Sequence, residues 1–284
     1  MSNFLYSTKK AFTFAEAIIA LLIIGIVSAI VVPTLHDGFA KNVFQSSFAD
    51  SYKNFNKGLY NYNINIGGKR TEKTDGGSTK EVSSVSAIHD GTLTSSNLFA
   101  ENESITEKLA EQFKGSAKEN NCWDGIDITN NIDSTSGGNV ANLNTLPCFV
   151  AANGLIYAIE ILSRTCQTDL RNDDTKRHKL NNSCAVLYMD VNGKQAPNTF
   201  GKDVYAFIIT NTANNSLYPV GGELINYENE ALNVTQIAGV SAWCSNKDEN
   251  GNCIAGTCDN TLGKDGRSCA GRIVEEGMRI RYLK

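Results

Sequence analysis

The sequence predicts an α+β chain in which one long N-terminal helix, membrane-spanning in its first half, packs by its second half against an antiparallel β-sheet head. Three observations predict it. Residues 17–35 are 19 uncharged, mostly apolar positions. Aromatic and aliphatic residues then recur at mostly three- or four-residue spacing as far as residue 66. Beyond residue 145, short apolar runs alternate with turn signals, the pattern of antiparallel strands.

The apolar segment comes first. At about 1.5 Å of rise per residue it covers roughly 28 Å, close to the hydrocarbon thickness of a bilayer. Between residues 11 and 35 the only charge is Glu16. Lys9 and Lys10 precede the segment and are expected to stay cytoplasmic, which leaves the rest of the chain outside. A secretory signal peptide would have a shorter apolar stretch followed by a small-residue cleavage site. A buried core helix would carry too apolar an outer face. A plain membrane anchor fits the length but gives no role to Glu16, and a carboxylate there costs free energy unless it is paired or solvated.

The helix is expected to continue outside the membrane. Phe44, Phe48, Tyr52, Phe55, Leu59 and Ile66 form one apolar stripe on an otherwise polar segment. Gly67 and Gly68 end it. A helix from Phe12 to Ile66 would be about 80 Å long, with a kink at Pro33 where proline removes a backbone donor. Residues 67–96, rich in Gly, Ser, Thr and Lys, read as an exposed loop. Ser104 and Glu107 form a capping box that opens a second helix carrying Leu109 and Phe113. Residues 120–144 are polar and irregular. Strands are expected at 149–152 and 155–161, joined by Asn153-Gly154, then at 185–189 and 204–209. A last hairpin is expected from 272–274 and 278–283 around Glu275-Glu276-Gly277. Successive strands with short turns make one antiparallel sheet on one helix, enclosing one core.

The chain has 284 residues, 41% of them hydrophobic and 20% charged, so it can bury a sizeable core. A formal net charge of −4 argues against a general nucleic-acid binder, which needs a basic face to displace counterions from phosphates. No specific nucleic-acid partner is expected. The eight cysteines are Cys122, Cys148, Cys166, Cys184, Cys244, Cys253, Cys258 and Cys269, all beyond the apolar segment. An even count on the far side of a membrane segment reads as disulfides. Cys166 and Cys184 bracket a polar loop between two strand runs and are expected to pair, Cys122 with Cys148, and the last four among themselves. Those four are separated by eight, four and ten residues and lack the short Cys-x-x-Cys knuckles of a zinc site. His36, His89 and His178 sit in no catalytic motif, and there is no G-x-S-x-G or P-loop, so no enzyme is expected.

The run from Lys9 to Pro33 resembles the processing segment of type IV prepilins and type II secretion pseudopilins. In that family a prepilin peptidase cuts before a Phe on the cytoplasmic side, the new amine is methylated, and a Glu follows at the fifth mature position. Phe12 and Glu16 have that spacing, and Pro33 matches the family's helix-kinking proline. Ala11 stands where the family usually has Gly. The resemblance covers residues 9–33. It implies a cytoplasmic leader over 1–11 that is removed, a helix over 12–66 with 12–35 in the membrane, and a pilin-like head over 67–284 with a disulfide-rich C-terminal region. The implied function is that of a structural subunit of a type IV pilus-like filament, in which the Phe12 amine pairs with Glu16 of a neighbour. The alternatives are a pseudopilin of a type II secretion system, or a minor or tip pilin acting as an adhesin or DNA-uptake subunit. The implied partners are other pilin subunits, the prepilin peptidase, inner-membrane lipid and an assembly platform. The implied location is the bacterial inner membrane, single-pass with the head outside the cytoplasm, and then a pilus or periplasmic filament. No organic cofactor is expected. Some pseudopilins bind calcium in a head loop, and the oxygen-rich stretch 190–203 loosely resembles one, with Asp190, Asn192 and Asp203 as candidate ligands. The plainer reading of that stretch is a connection between two strands, with Asn192-Gly193 as its turn.

Overall fold

The aromatic stripe on the first helix decides the architecture, because it needs an apolar surface to cover it. A computed structural model describes residues 14–66, 70–73, 79–82, 105–130, 140–162, 168, 170, 180, 183–210, 217–222, 237, 240, 242–250, 253–258 and 265–283. Within these, only the backbone is described at 30–40, 60, 62–66, 70–73, 79–82, 105, 140, 245–247 and 254–256. Helix α1 (Phe14–Ile66) is continuous and ends at the expected residue. Phe48, Phe55 and Leu59 are fully buried, with Phe44 and Tyr52 packed partly against the same core. The Phe48 ring meets Tyr205 edge-on at 4.6 Å between centroids, Tyr52 lies 5.4 Å from Phe207, and Phe55 lies 5.4 Å from Tyr157. Offset and edge-on contacts of this kind add to what burial alone contributes.

Strands β1 (Arg70–Lys73) and β2 (Thr79–Val82) pair antiparallel where a loop was expected. Their register sets Glu72 opposite Lys80. Helix α2 (Ile105–Gln112) follows at the position given by the capping box, and Ser104 itself lies outside the described residues. The remaining strands are β3 (Ser116–Lys118), β4 (Ile128–Thr129), β5 (Val140–Ala141), β6 (Cys148–Val150), β7 (Ile156–Ile161), β8 (Ser183–Asp190), β9 (Val204–Thr210), β10 (Leu217–Pro219), β11 (Cys244–Lys247) and β12 (Cys253–Gly256). Six form the main sheet in the order β10-β9-β8-β7-β6-β3, every pair antiparallel. The expected hairpin at Asn153-Gly154 joins β6 to β7. Ala151 N–H donates to the Leu155 carbonyl at 2.9 Å, and Gly154 takes the left-handed position at φ 85° that closes a three-residue turn.

The single expected core is in fact two, one on each face of the sheet. Tyr157, Ile159, Ala185, Leu187, Met189, Tyr205, Phe207 and Ile209 face α1 and α2. The alternate residues Ile156, Ala158, Val186, Tyr188, Val204, Ala206 and Ile208 bury against Trp123, Ile128, Leu143 and Phe200. Strands β8 and β9 are therefore buried at every position, which is why they read as unbroken apolar runs rather than alternating ones. The second cover comes from 120–144, the stretch that looked irregular. It is built around the β4–β5 pair and a 3₁₀ turn at Leu143–Thr145.

The expected C-terminal hairpin is also corrected. Cys269–Glu275 is a helix, α3. Gly277 N–H donates to the Val274 carbonyl at 3.2 Å and Met278 N–H to the Ile273 carbonyl at 2.7 Å, with Gly277 at φ 74°. This is the Schellman pattern of a helix C-terminus, so the glycine stops a helix rather than turning a hairpin. An Arg272 to Glu276 ion pair at 3.0 Å supports the same turn.

Candidate functional site

Two places carry chemistry that packing does not explain. The first is the start of α1. Every side chain over 14–29 is exposed, including Phe14 at 83% and Leu21 at 69%. The segment is apolar all round, so no single face can be hidden by docking on the head. Among the described residues no helix is long and apolar enough to cross a membrane. The expected span 12–35 extends beyond 14–29 on both sides. Glu16 sits in the first turn of the helix. Ala11 and Phe12 lie outside the described residues, as does the side chain of Pro33.

The second place is the β8–β9 connection. It brings together the three residues singled out in the sequence. Asp190 ends β8 and Asp203 immediately precedes β9, and both are wholly buried. Trp123 Nε1–H donates to Asp190 Oδ2 at 2.7 Å, and the Asn192 N–H donates to Asp190 Oδ1 at 3.1 Å. The Asn198 and Thr199 N–H groups donate to the two Asp203 oxygens at 2.8 and 2.7 Å. Burial pushes the Asp190 carboxyl well above the usual range, and the neighbouring Asp203 charge pushes it further, against the pull of the indole and backbone donors. Burial likewise raises Asp203, to about 6, against the N–H groups of Thr199 and Asn198.

The carboxylates thus act as the knot that closes the loop. A Cβ at Gly193 would lie 2.4 Å from the Gly154 carbonyl oxygen, so the Asn192-Gly193 turn abuts the β6–β7 turn and requires glycine there. Two buried amide oxygens of the loop, Asn192 Oδ1 and Asn198 Oδ1, accept no hydrogen bond. Asp190, Asp203 and these two amides are oxygen groups of the kind a hard cation takes. Among the described residues no group of three or more His, Cys, Asp or Glu side chains is arranged to hold a metal ion. Sequence reading missed Trp123 and Thr199, and placed Asn198 in the oxygen-rich stretch without a role. The available signal was Trp123 itself, a large aromatic beside Cys122 in an otherwise polar stretch.

Disulfides join Cys122 to Cys148, Cys244 to Cys253 and Cys258 to Cys269. The last four cysteines therefore pair among themselves. Cys184 is also disulfide-bonded, and its expected partner Cys166 lies outside the described residues. The Cys122–Cys148 bridge ties the Trp123 loop to β6, which holds the indole over Asp190.

Compared with known protein families, curated proteins and solved structures, the chain shows no significant match to any of them.

Proposed function

We propose that the chain is a structural subunit of a type IV pilus-like filament, processed by a prepilin peptidase and polymerised through its N-terminal helix. The observation that supports it most is the division of α1. Its second half is clamped to a disulfide-bonded head, while residues 14–29 present apolar side chains on every face. Such a surface needs surroundings that are apolar all round, which a bilayer supplies before assembly and a bundle of neighbouring α1 helices supplies afterwards. Lys9, Lys10, Ala11, Phe12 and Glu16 add the processing pattern. Cleavage before Phe12 creates a positive amine, and its pairing with Glu16 of a neighbour neutralises two charges that would each be costly in an apolar core. That pairing favours one axial stagger between subunits.

Mass spectrometry of the assembled protein tests processing. Phe12 is the expected first residue, carrying an N-methyl group. An intact Met1, or a start beyond Pro33, would refute the reading. Electron microscopy with an antibody to the head then separates the forms of the proposal. Labelling along a shaft marks a major pilin, labelling at the tip marks an adhesin or other minor subunit, and the absence of surface filaments marks a pseudopilin.

A further inference from the structure

The C-terminal segment 278–283 is a strap laid along α1 just beyond the apolar segment. Ile280 N–H donates to Gln45 Oε1 at 3.0 Å, and Lys41 Nζ donates to the Leu283 carbonyl at 2.7 Å. The strap alternates strictly. Ile280 and Tyr282 are buried, and the Tyr282 hydroxyl donates to the Gly201 carbonyl at 2.6 Å. In an extended chain neighbouring side chains point to opposite sides. Burying Ile280 and Tyr282 therefore turns Arg279 and Arg281 outward, and both are exposed.

Their position along α1 matters. Lys41 lies six residues past Leu35, about 9 Å at helical rise, and Gln45 about 6 Å further. The polar layer of a bilayer extends roughly 5–8 Å beyond the hydrocarbon on each side. Long basic side chains can reach back across the remaining distance. Lys41, Arg279 and Arg281 thus gather at the level where the helix would leave the lipid. Two described acidic groups nearby are engaged within the head. Glu276 accepts from Arg272 at 3.0 Å and lies 4.0 Å from Arg281, and Glu275 accepts from the Trp243 indole at 2.5 Å. Asp37, one turn before Lys41 on α1, adds one negative charge at this level and leaves the three basic residues in excess, while Asp50 is nine residues past Lys41, about 14 Å further from the bilayer.

We infer that Arg279 and Arg281, with Lys41, form a docking site for the phosphates of anionic lipids, which seats the head on the outer surface of the bilayer before assembly. The inference rests on the membrane insertion proposed above. The strap makes it specific, because the two arginines are held at this level by contacts to Lys41 and Gln45 rather than by a flexible tail.

The test uses the full chain reconstituted into vesicles with trace spin-labelled phosphatidylglycerol or phosphatidylcholine, reading the motionally restricted fraction of each by electron spin resonance. The wild-type chain is expected to restrict phosphatidylglycerol preferentially, and less so at high salt. Arg279→Gln with Arg281→Gln is expected to lower that preference by about fivefold per arginine, since a basic residue near an anionic surface is worth about 1 kcal/mol. Both side chains are exposed, so an unchanged near-ultraviolet spectrum verifies the head. Equal restriction of the two lipids by the wild-type chain overturns the inference. So does a variant that keeps its full preference, which would trace the selectivity to Lys9 and Lys10 on the opposite side. Should the variant instead lose filament assembly while keeping that preference, the arginines face a neighbouring subunit and the lipid site is equally refuted. If neither lipid is restricted, the chain does not insert, and the membrane reading fails first.

Discussion

Residues 14–29 and 44–59 belong to one helix yet follow opposite rules. The second stretch carries a single apolar stripe, and the sheet buries it. The first is apolar on all sides, and none of the described residues covers it. The difference teaches what each half is for. A stripe is a contract with one partner surface, satisfied within the subunit. An apolar cylinder can be satisfied only by an environment that surrounds it. The head needs no such environment, because α1 and α2 cover one face of its sheet and the irregular 120–144 segment covers the other.

The sharpest way to break this contrast is at Glu16. Glu16→Ala is expected to leave the head folded and the chain inserted, yet to reduce filament assembly by two or more decades. Removing one partner of a buried charge pair costs about 3–5 kcal/mol. Glu16→Gln tests charge at constant size and is expected to assemble as poorly. Filaments at wild-type yield from either variant would reduce Glu16 to a local helix cap. The converse break is Phe55→Ala. It removes a buried ring from the α1 stripe and is expected to cost about 3–5 kcal/mol of head stability without altering membrane insertion. Thermal unfolding of the head, followed beside alkaline extraction of membranes, reads both quantities. Equal stability of variant and wild type would mean that α1 is not part of the head's core.

Smaller effects probe the second cover of the sheet. Replacing Cys122 and Cys148 with Ser frees a loop that holds Trp123, and the expected loss is about 3.5 kcal/mol in the chain-entropy model. Denaturant unfolding measures it, and the indole fluorescence should report exposure of the loop. The last effect is one of pH. Asp203 has its folded pKa raised from 3.8 to about 6. Between those values the folded state binds more protons than the unfolded one, so this contribution is fully present below pH about 4 and is lost as pH rises through about 6. Its size is on the order of 2–3 kcal/mol, at about 1.4 kcal/mol per pKa unit. Carboxyl carbon shifts of Asp203 are expected to titrate near the folded value. A midpoint near that of an unperturbed aspartate would show that the pair is solvated. Calcium tests the cation reading of the same pair. Its binding would lower that midpoint and raise the melting temperature at neutral pH, whereas an unchanged titration leaves the two carboxylates as a loop knot only.

The extent of α1, its aromatic stripe, the β6–β7 hairpin and the runs of β8 and β9 were legible in the sequence. Each depends on local periodicity or turn chemistry that neighbours in the chain supply. The C-terminal helix was misread because a glycine at φ above zero serves a hairpin turn and a helix C-cap alike. Only the contacts of Ala270 and Ile273 with the head core decide between them. The candidate loop was legible in part. Asp190, Asn192 and Asp203 stood out as an oxygen-rich stretch, but the donors that hold them include Trp123, which is 67 residues from Asp190.

The sequence by itself determined that this chain has an apolar N-terminal segment interrupted only by Glu16, an aromatic stripe after it and eight cysteines beyond it, since all three rest on residue type and short-range spacing. Tertiary structure decided what spacing cannot encode. It set the second core beneath a polar-looking segment, placed two carboxylates side by side in a buried loop, and laid the strap that carries Arg279 and Arg281 along α1. The physical reason is the same in each case. Burial, and the electrostatics that follow from it, depend on which distant segments come to lie over one another, and here the sheet's two faces made that choice.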